Sequence, residues 1–201
     1  MKALKYALIL ALVGLAPTTA NAADTGGRFA VRGLGSSKCS DLTTVIGQKN
    51  NTLIQLYAAW LAGYVTASNR LISQTFDAIP STVGSDVVGL VSVICARNPN
   101  ALVETSTYQV LEALNAIRVR QDSPVVTMQE GGKTLAIRQE ALTLVQTELA
   151  SKGLYKGPAD GKPSPALVKA ISAFQKAQKL PETGLPDIDV LVRLKMAPSK
   201  P

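Results

Sequence analysis

The sequence predicts an all-α protein built from two small helical domains joined by a linker. In several segments longer than ten residues, apolar side chains recur at steps of three and four, which is the period of an amphipathic helix. Breaks that contain proline or glycine separate these segments. The clearest break, residues 121–133, divides the chain into one domain at 24–120 and another at 134–196, followed by a tail at 197–201.

Residues 1–22 have the pattern of a secretory signal peptide. Lys2 and Lys5 give a basic start, and an apolar run follows at Tyr6–Ala16. Small residues at Ala20 and Ala22 supply a cleavage site. Crossing a bilayer takes about 20 apolar residues, so this run is too short to be a stable membrane span. We therefore expect a periplasmic or secreted protein; an uncleaved anchor is the alternative.

The balance of charges is moderately basic. The chain has 21 basic and 14 acidic residues, a formal charge of +7 that falls to +5 when the two lysines of the signal peptide are removed. The excess is spread along the chain without a dense basic block. Such a charge favours an anionic wall or membrane surface. Nucleic acid is a poor partner for an exported protein of this kind.

Cys39 and Cys95 are the only cysteines in the sequence. Because compartments beyond the membrane are oxidising, export favours a disulfide between them. Closing so long a loop would contribute about 4 kcal/mol in the chain-entropy model. The alternative is a reactive thiol, but the sequence contains no histidine that could activate one.

The lack of histidine also limits the chemistry of the chain. It excludes Ser-His-Asp and Cys-His catalysis and any zinc site with a histidine ligand. We therefore predict no catalytic residue, no metal and no cofactor. A glycosidase would need carboxylates in an apolar pocket. The candidates, none in a recognisable motif, are Asp77, Asp86, Glu104 and Glu112.

The N-terminal part is predicted to begin with an irregular segment at 24–38. A long helix follows from Thr52, and its apolar stripe continues to Phe76, before Pro80 stops the segment. Gly63 lies inside this helix, where alanine would be preferred by about 1 kcal/mol. Close approach of a neighbouring helix would explain the glycine.

Two further helices are predicted at 85–96 and about 100–118, with a break at Asn98-Pro99 between them. The Trp60-Leu61-Ala62-Gly63-Tyr64 helix and the Cys95-Ala96-Arg97-Asn98-Pro99 segment resemble small exported helical proteins of the HdeA chaperone type, and immunity proteins that neutralise wall toxins. This resemblance implies a disulfide-bonded periplasmic domain whose residues 24–120 bind an envelope protein. Trp60 and Tyr64 are alternatively simple core residues.

The C-terminal part carries several local signals for three short helices. Residues 121–133 are predicted to be a linker with a brief extended piece. Thr134 is a suitable N-cap for the first helix, and Gly153 a suitable left-handed C-terminal residue. Ser164 before a proline predicts the start of the second helix, and Asp187 caps the third.

The order and spacing of polar and glycine residues after position 145 resemble the three-helix peptidoglycan-binding domain of bacterial wall proteins. The family typically has a Phe-Gly-Pro-x-Thr run after its Asp-Gly pair, where this chain has Pro163-Ser164-Pro165-Ala166-Leu167, and this departure puts ligand choice in doubt. The residues that carry the resemblance are Val145-Gln146, Leu154-Tyr155, Asp160-Gly161, Phe174-Gln175 and Thr183-Gly184-Leu185-Pro186-Asp187.

The resemblance implies that peptidoglycan is a partner and gives four candidate ligand-binding residues: Tyr155, Asp160, Gly161 and Gln175. Tyr155 could offer a stacking face and Gln175 an amide, or both could pack locally. Asp160 could equally fix its own turn rather than touch sugar.

Together these expectations describe an exported, wall-associated, non-enzymatic protein that binds peptidoglycan and tethers a partner-binding helical domain to it. The alternatives are a peptidoglycan hydrolase with an unrecognised carboxylate, or a periplasmic chaperone or toxin-neutralising protein.

Overall fold

The computed structural model describes residues 23–80 and 85–196. The predicted signal peptide and the tail at 197–201 lie outside the described residues. The described residues 23–31 belong to one compact unit, in which the Asp24 carboxylate accepts the backbone N–H groups of Gly26 and Arg28. Residues from Arg32 onward form the second unit, which contains every helix and strand named below.

The described part of the chain is mostly helical, with one β-hairpin. None of its helices is both long and apolar enough to cross a bilayer. Short 3-10 turns lie at Gly33–Ser36 and Asn115–Ile117. The elements, in chain order, are α1 (Cys39–Gly47), α2 (Asn51–Leu71), α3 (Ser85–Arg97), α4 (Val103–Leu114), β1 (Val125–Glu130), β2 (Lys133–Arg138), α5 (Gln139–Ser151), α6 (Pro165–Ala177) and α7 (Ile188–Met196).

The predicted disulfide is confirmed. Cys39 at the start of α1 and Cys95 near the end of α3 are bonded, with Cα atoms 4.7 Å apart and both residues fully buried. The backbone around Cys39 is held as well, because its N–H donates to Ala101 O at 2.8 Å. The bond therefore fastens α1 to the end of α3 inside the helical core.

The prediction for the N-terminal part needs correction at three points. Helix α1 was not predicted. Its first turn is capped by the Asp41 carboxylate, which accepts the Lys38 N–H at 3.1 Å. Helix α2 ends at Leu71 and does not continue to Phe76, because the Phe76 N–H donates to Val119 O at 2.9 Å. Helix α4 starts at Val103, because its N–H pairs with Ser37 O.

The neighbouring helix expected beside Gly63 is not found among the described residues. A Cβ built on Gly63 would meet nothing within 4 Å. Close approach occurs instead at Gly35, where a Cβ would collide with the Trp60 ring. The Trp60 indole N–H also donates to Arg32 O at 2.9 Å. Trp60 is therefore a packing residue that seats the Gly33–Ser36 turn on α2.

The β-hairpin qualifies the all-α prediction and corrects the start of the first C-terminal helix. Thr134 is not an N-cap but lies in β2, and α5 begins at Gln139. Gly131 and Gly132 have φ angles of 55° and 75°, which suit a two-residue hairpin turn. The register pairs Met128 with Leu135, and both side chains are buried. Alternate burial in β2 follows from this period of two.

The other C-terminal signals behave as predicted. Gly153 has a φ of 72° just after α5, and the Ser164 hydroxyl accepts the Leu167 N–H at the start of α6. The Asp187 carboxylate accepts the Val190 N–H at 3.0 Å. The three helices enclose a core of fully or almost fully buried side chains: Leu142, Val145, Leu149, Leu167, Ile171, Phe174, Val190, Leu191 and Leu194.

The segment that leads into the hairpin is fastened to the C-terminal helices. The Glu140 carboxylate accepts the N–H groups of Arg120 and Gln121, both at 2.9 Å. Arg138 forms a salt bridge with Asp122 at 3.2 Å, and its guanidinium carbon lies 4.8 Å from the centre of the Phe76 ring. These contacts hold the entry to the hairpin against α5.

Candidate functional site

The first loop of the C-terminal part is held by Gln146, a fully buried residue of α5. Its side-chain Oε1 accepts the Gly161 N–H at 2.6 Å, and its Nε2 donates to Lys162 O at 3.0 Å and to Asp160 Oδ1 at 3.2 Å. One amide therefore pairs with three consecutive residues of the loop. Buried amides satisfied on both sides stabilise and orient the backbone they contact.

The second loop is held in the same way by Gln175 of α6, which is also fully buried. Its Oε1 accepts the Gly184 N–H at 2.8 Å, and its Nε2 donates to Thr183 Oγ1 at 2.8 Å and to Leu185 O at 3.1 Å. We call these two arrangements the Gln146 clamp and the Gln175 clamp. In each, a helix glutamine fixes a glycine that has positive φ.

Tyr155 lies inside the first loop and is only 6% exposed. Its hydroxyl donates to Pro158 O at 3.3 Å, and its ring covers Gly157 so closely that a Cβ there would collide with it. Neither face of the Tyr155 ring is therefore exposed enough for a sugar to stack on it. The geometry gives Tyr155 a role in packing the loop.

Asp160 and Gly161 form the turn that the sequence predicted. Asp160 is exposed, and the Lys162 N–H, the Gln146 amide and the Lys162 charge hold the pKa of its carboxyl below the ordinary value, against the opposing effect of desolvation. Gly161 has a φ of 70°, and a Cβ there would lie 2.7 Å from Gln139 O. Only glycine fits this close approach.

The structure brings three of the four predicted ligand residues together. Tyr155, Asp160 and Gly161 share the first loop, whereas Gln175 serves the second loop. The Gln175 amide is engaged by protein on both sides, and Asp160 alone is exposed. A ligand-binding role for the four residues stays a prediction. The sequence analysis used Gln146 only as part of the family resemblance and did not count it among the candidate site residues, although its place before the Asp160-Gly161 turn mirrors that of Gln175 before Gly184.

An open groove of about 430 Å³ lies between β1 and the start of α6. One wall is made by Thr127–Glu130, and the other by Pro163–Pro165 with Val168 and Lys169. The second wall is the run in which this chain departs from the usual family pattern. The sequence analysis singled out residues 163–167 as a departure from the family pattern, and it predicted only a brief extended piece within the linker where β1 lies.

Among the candidate catalytic carboxylates, Glu104 and Asp77 have different hydrogen-bond partners, and the side chain of Asp86 lies outside the described residues. Glu104 is 6% exposed and accepts the Tyr64 hydroxyl at 2.7 Å. Burial and this hydrogen bond raise the pKa of Tyr64 well above its ordinary value. Asp77 accepts the Ile79 N–H at 3.1 Å, and Glu112 is exposed. Across residues 23–80 and 85–196 no group of three histidine, cysteine or acidic residues could hold a metal ion.

Comparison with known proteins identifies the C-terminal part. Residues 138–194 match the family model described as "Putative peptidoglycan binding domain". The match begins at the last residue of β2 and ends inside α7, so it contains both clamps and leaves most of the hairpin outside. The resemblance seen in the sequence is therefore confirmed.

Curated relatives share only part of the chain. "Localization factor PodJL" of Caulobacter vibrioides, in two strains, is 39% identical over 80 residues, which is 40% of this chain and 8% of that protein. "Putative OxPP cycle protein OpcA" of Nostoc punctiforme is 38% identical over 77 residues, covering 35% of this chain and 17% of that protein. No solved structure matches the chain at the same stringency.

Proposed function

We propose that this chain is an exported, non-enzymatic protein that binds peptidoglycan through residues 138–194. It would thereby carry to the wall a helical part, residues 24–120, that binds a partner protein. The observation that carries the proposal is the match of residues 138–194 to a peptidoglycan-binding family. The Cys39–Cys95 disulfide supports a location outside the cytoplasm, because such bonds persist in oxidising compartments.

The way in which polar side chains are used in residues 138–194 supports a binding role. These side chains hold loops rather than assemble a reaction centre, as the Gln146 and Gln175 clamps illustrate. One relative is named a localization factor, which agrees with a protein that places something at the wall. The chain has a formal charge of +7, and the +5 that remains without the two lysines of the signal peptide adds weak attraction to anionic wall material.

The helical part is proposed to engage an envelope protein. An outward face of α2 carries Leu56, which is 52% exposed, and the open Gly63, and Leu71 at its end is 79% exposed. These exposed apolar positions on α2 are the surface that we propose for the contact. A weak wall site would raise the local concentration of this face near the polymer, so that partner binding becomes effectively intramolecular.

Co-sedimentation with purified sacculi tests wall binding. The full chain is expected in the pellet, and soluble muropeptides should release it. A variant with both Cys39→Ala and Cys95→Ala changes only the helical part and should still pellet if it remains folded. Failure of the native chain to pellet at any amount of sacculi would refute the proposal.

The same incubation separates binding from hydrolysis. Release of soluble muropeptides from sacculi is expected to stay at the level of a protein-free control. A release that disappears in Glu104→Gln or Glu112→Gln would instead establish the hydrolase alternative. Glu104→Gln keeps an acceptor for the Tyr64 hydroxyl, so that variant should fold.

A further inference from the structure

We infer that the groove beside β1 binds the peptide stems of peptidoglycan, by adding a short extended peptide to the free edge of the strand. The inference rests on the proposed wall-binding function and deepens it, because it names the part of the polymer that is bound. It concerns two segments, residues 125–130 and residues 163–169. The first is strand β1, which lies outside the family match, and the second lies inside it.

The hairpin geometry shows which backbone groups of β1 are available. In an antiparallel pair that follows a two-residue turn, hydrogen-bonded and non-hydrogen-bonded pairs alternate from the turn outward. Glu130 and Met128 therefore bond to β2, whereas Gln129 and Thr127 direct their N–H and C=O groups away from it. Among the described residues outside the hairpin, none forms a backbone hydrogen bond with Thr127 or Gln129.

The groove runs along this free edge. Its lining includes the four consecutive residues Thr127–Glu130 of β1 and no residue of β2. The outward backbone groups of Thr127 and Gln129 repeat at about 7 Å, the two-residue repeat of an extended chain. A peptide laid along the groove can make the same ladder contacts that a third strand would make.

Charge and side-chain type favour a peptide over a glycan. The lining carries one acidic residue, Glu130, and one basic residue, Lys169, which complement the ammonium group and the carboxylates of a stem peptide that contains a diamino acid. None of the lining residues is aromatic, so the groove has no ring on which a sugar could stack. Pro163 and Pro165 give an apolar wall without N–H groups of their own.

The groove is a stable feature because the hairpin tip is packed on the C-terminal helices. A Cβ built on Gly184 would meet Val168 Cγ1 at 2.8 Å and Glu130 Cγ at 3.3 Å. Met128, between the two outward residues, is 2% exposed. The strand is thereby fixed opposite α6, and its edge is preformed for a ligand.

A pair of proline variants tests the edge directly. Gln129 and Thr134 face each other across the hairpin in a non-hydrogen-bonded pair, so their N–H groups point to opposite edges. Gln129→Pro removes a donor from the groove edge, whereas Thr134→Pro removes one from the other edge. The probe is a synthetic stem tetrapeptide with a diamino acid, titrated into the isotope-labelled full chain and followed by amide chemical shifts.

We expect the tetrapeptide to shift the amide signals of Thr127 and Gln129 in a saturable way. Gln129→Pro should weaken its binding about tenfold, the effect of one lost hydrogen bond, while Thr134→Pro stays within about twofold. A pair of charge-reversal variants gives a second test, which does not alter the backbone. Lys169→Glu should weaken binding, and Lys176→Glu, exposed on the same helix away from the groove, should not.

The outcomes separate this inference from wall binding itself. If the native chain pellets with sacculi but the tetrapeptide leaves β1 signals unshifted, or if sacculi stripped of stem peptides bind equally well, wall binding stands and the peptide site is refuted. The peptide site is also refuted if Gln129→Pro weakens tetrapeptide binding no more than Thr134→Pro does, and Lys169→Glu no more than Lys176→Glu does. If the tetrapeptide binds at β1 but sacculi do not, wall binding fails and the groove stands as a peptide site.

Discussion

The backbone N–H of Gly161 donates to the side-chain Oε1 of Gln146 across 2.6 Å, and both residues are buried. Gly184 and Gln175 repeat this relationship at 2.8 Å in the next loop. Each loop is therefore built around a single helix amide. This explains how a short chain segment with little regular structure between its helices can keep its loops ordered.

Replacing Gln146 with leucine should destabilise the C-terminal part. The change keeps the side-chain size but leaves the buried Gly161 N–H without an acceptor, which costs about 1–3 kcal/mol in the free energy of unfolding. Denaturant titration measures it. Gln55→Leu, on the exposed face of α2, is the matched control and should change stability by less than about 0.5 kcal/mol. Equal effects of the two changes would contradict the clamp.

Two glycine-to-alanine substitutions should have opposite effects. Gly161→Ala places a Cβ against Gln139 O at a φ of 70° and should destabilise by at least about 1 kcal/mol. Gly63→Ala lies in a helix with open space around it and should stabilise by about 0.5–1 kcal/mol. Thermal unfolding compares them. Loss of stability in Gly63→Ala would show that a partner or second copy already packs on that face.

Removing the disulfide should loosen the helical core. With both cysteines changed to alanine, the loop between positions 39 and 95 is no longer closed, and the free energy of unfolding should fall by about 4 kcal/mol. Denaturant titration of the native chain with and without a reducing agent provides an independent measurement. A midpoint that does not move on reduction would contradict the assigned stabilising role.

Glu148 should contribute a pH-dependent part of the stability. Burial alone would raise the pKa of its carboxyl, but the contacts with Lys195 at 2.8 Å and Lys152 at 3.5 Å outweigh it and lower the pKa below 4.5. Because the folded pKa is the lower one, this stabilisation is present above pH 4.5 and is lost as the pH falls through the folded value.

The variant Glu148→Gln should therefore lose about 1 kcal/mol at pH 7 and differ little from the native chain at the acid end. Unfolding measured between pH 7 and pH 3 gives the two curves. Glu182→Gln, at an exposed loop position, serves as the control and should run parallel to the native curve. Curves for Glu148→Gln that stay parallel to the native one would refute the linkage.

Local signals explain which elements could be predicted. The Ser164-Pro165 start of α6 and the Gly153 end of α5 depend on neighbouring residues alone, and both were found correctly. The hairpin was missed because Thr134 also suits an N-cap. Its signal was present in the Gly131-Gly132 pair, since two glycines between two short runs that contain β-branched residues favour a two-residue turn.

The candidate site was less accessible to sequence reasoning, for a physical reason. A glutamine can offer its amide to a ligand or bury it against backbone, and only the fold decides between them. Gln175 and Tyr155 turn out to be buried, so their first role is to hold loops. The edge of β1 required knowing the hairpin register, and that depends on a turn which the sequence analysis did not assign.

The measurement that tests the central claim most directly is the fraction of full-length protein that pellets with purified sacculi as the amount of wall is increased. Wall binding predicts a saturating curve that soluble muropeptides reverse and that the Cys39→Ala, Cys95→Ala variant reproduces. A native chain that stays in the supernatant at the highest amount of wall, while remaining folded, would contradict the account.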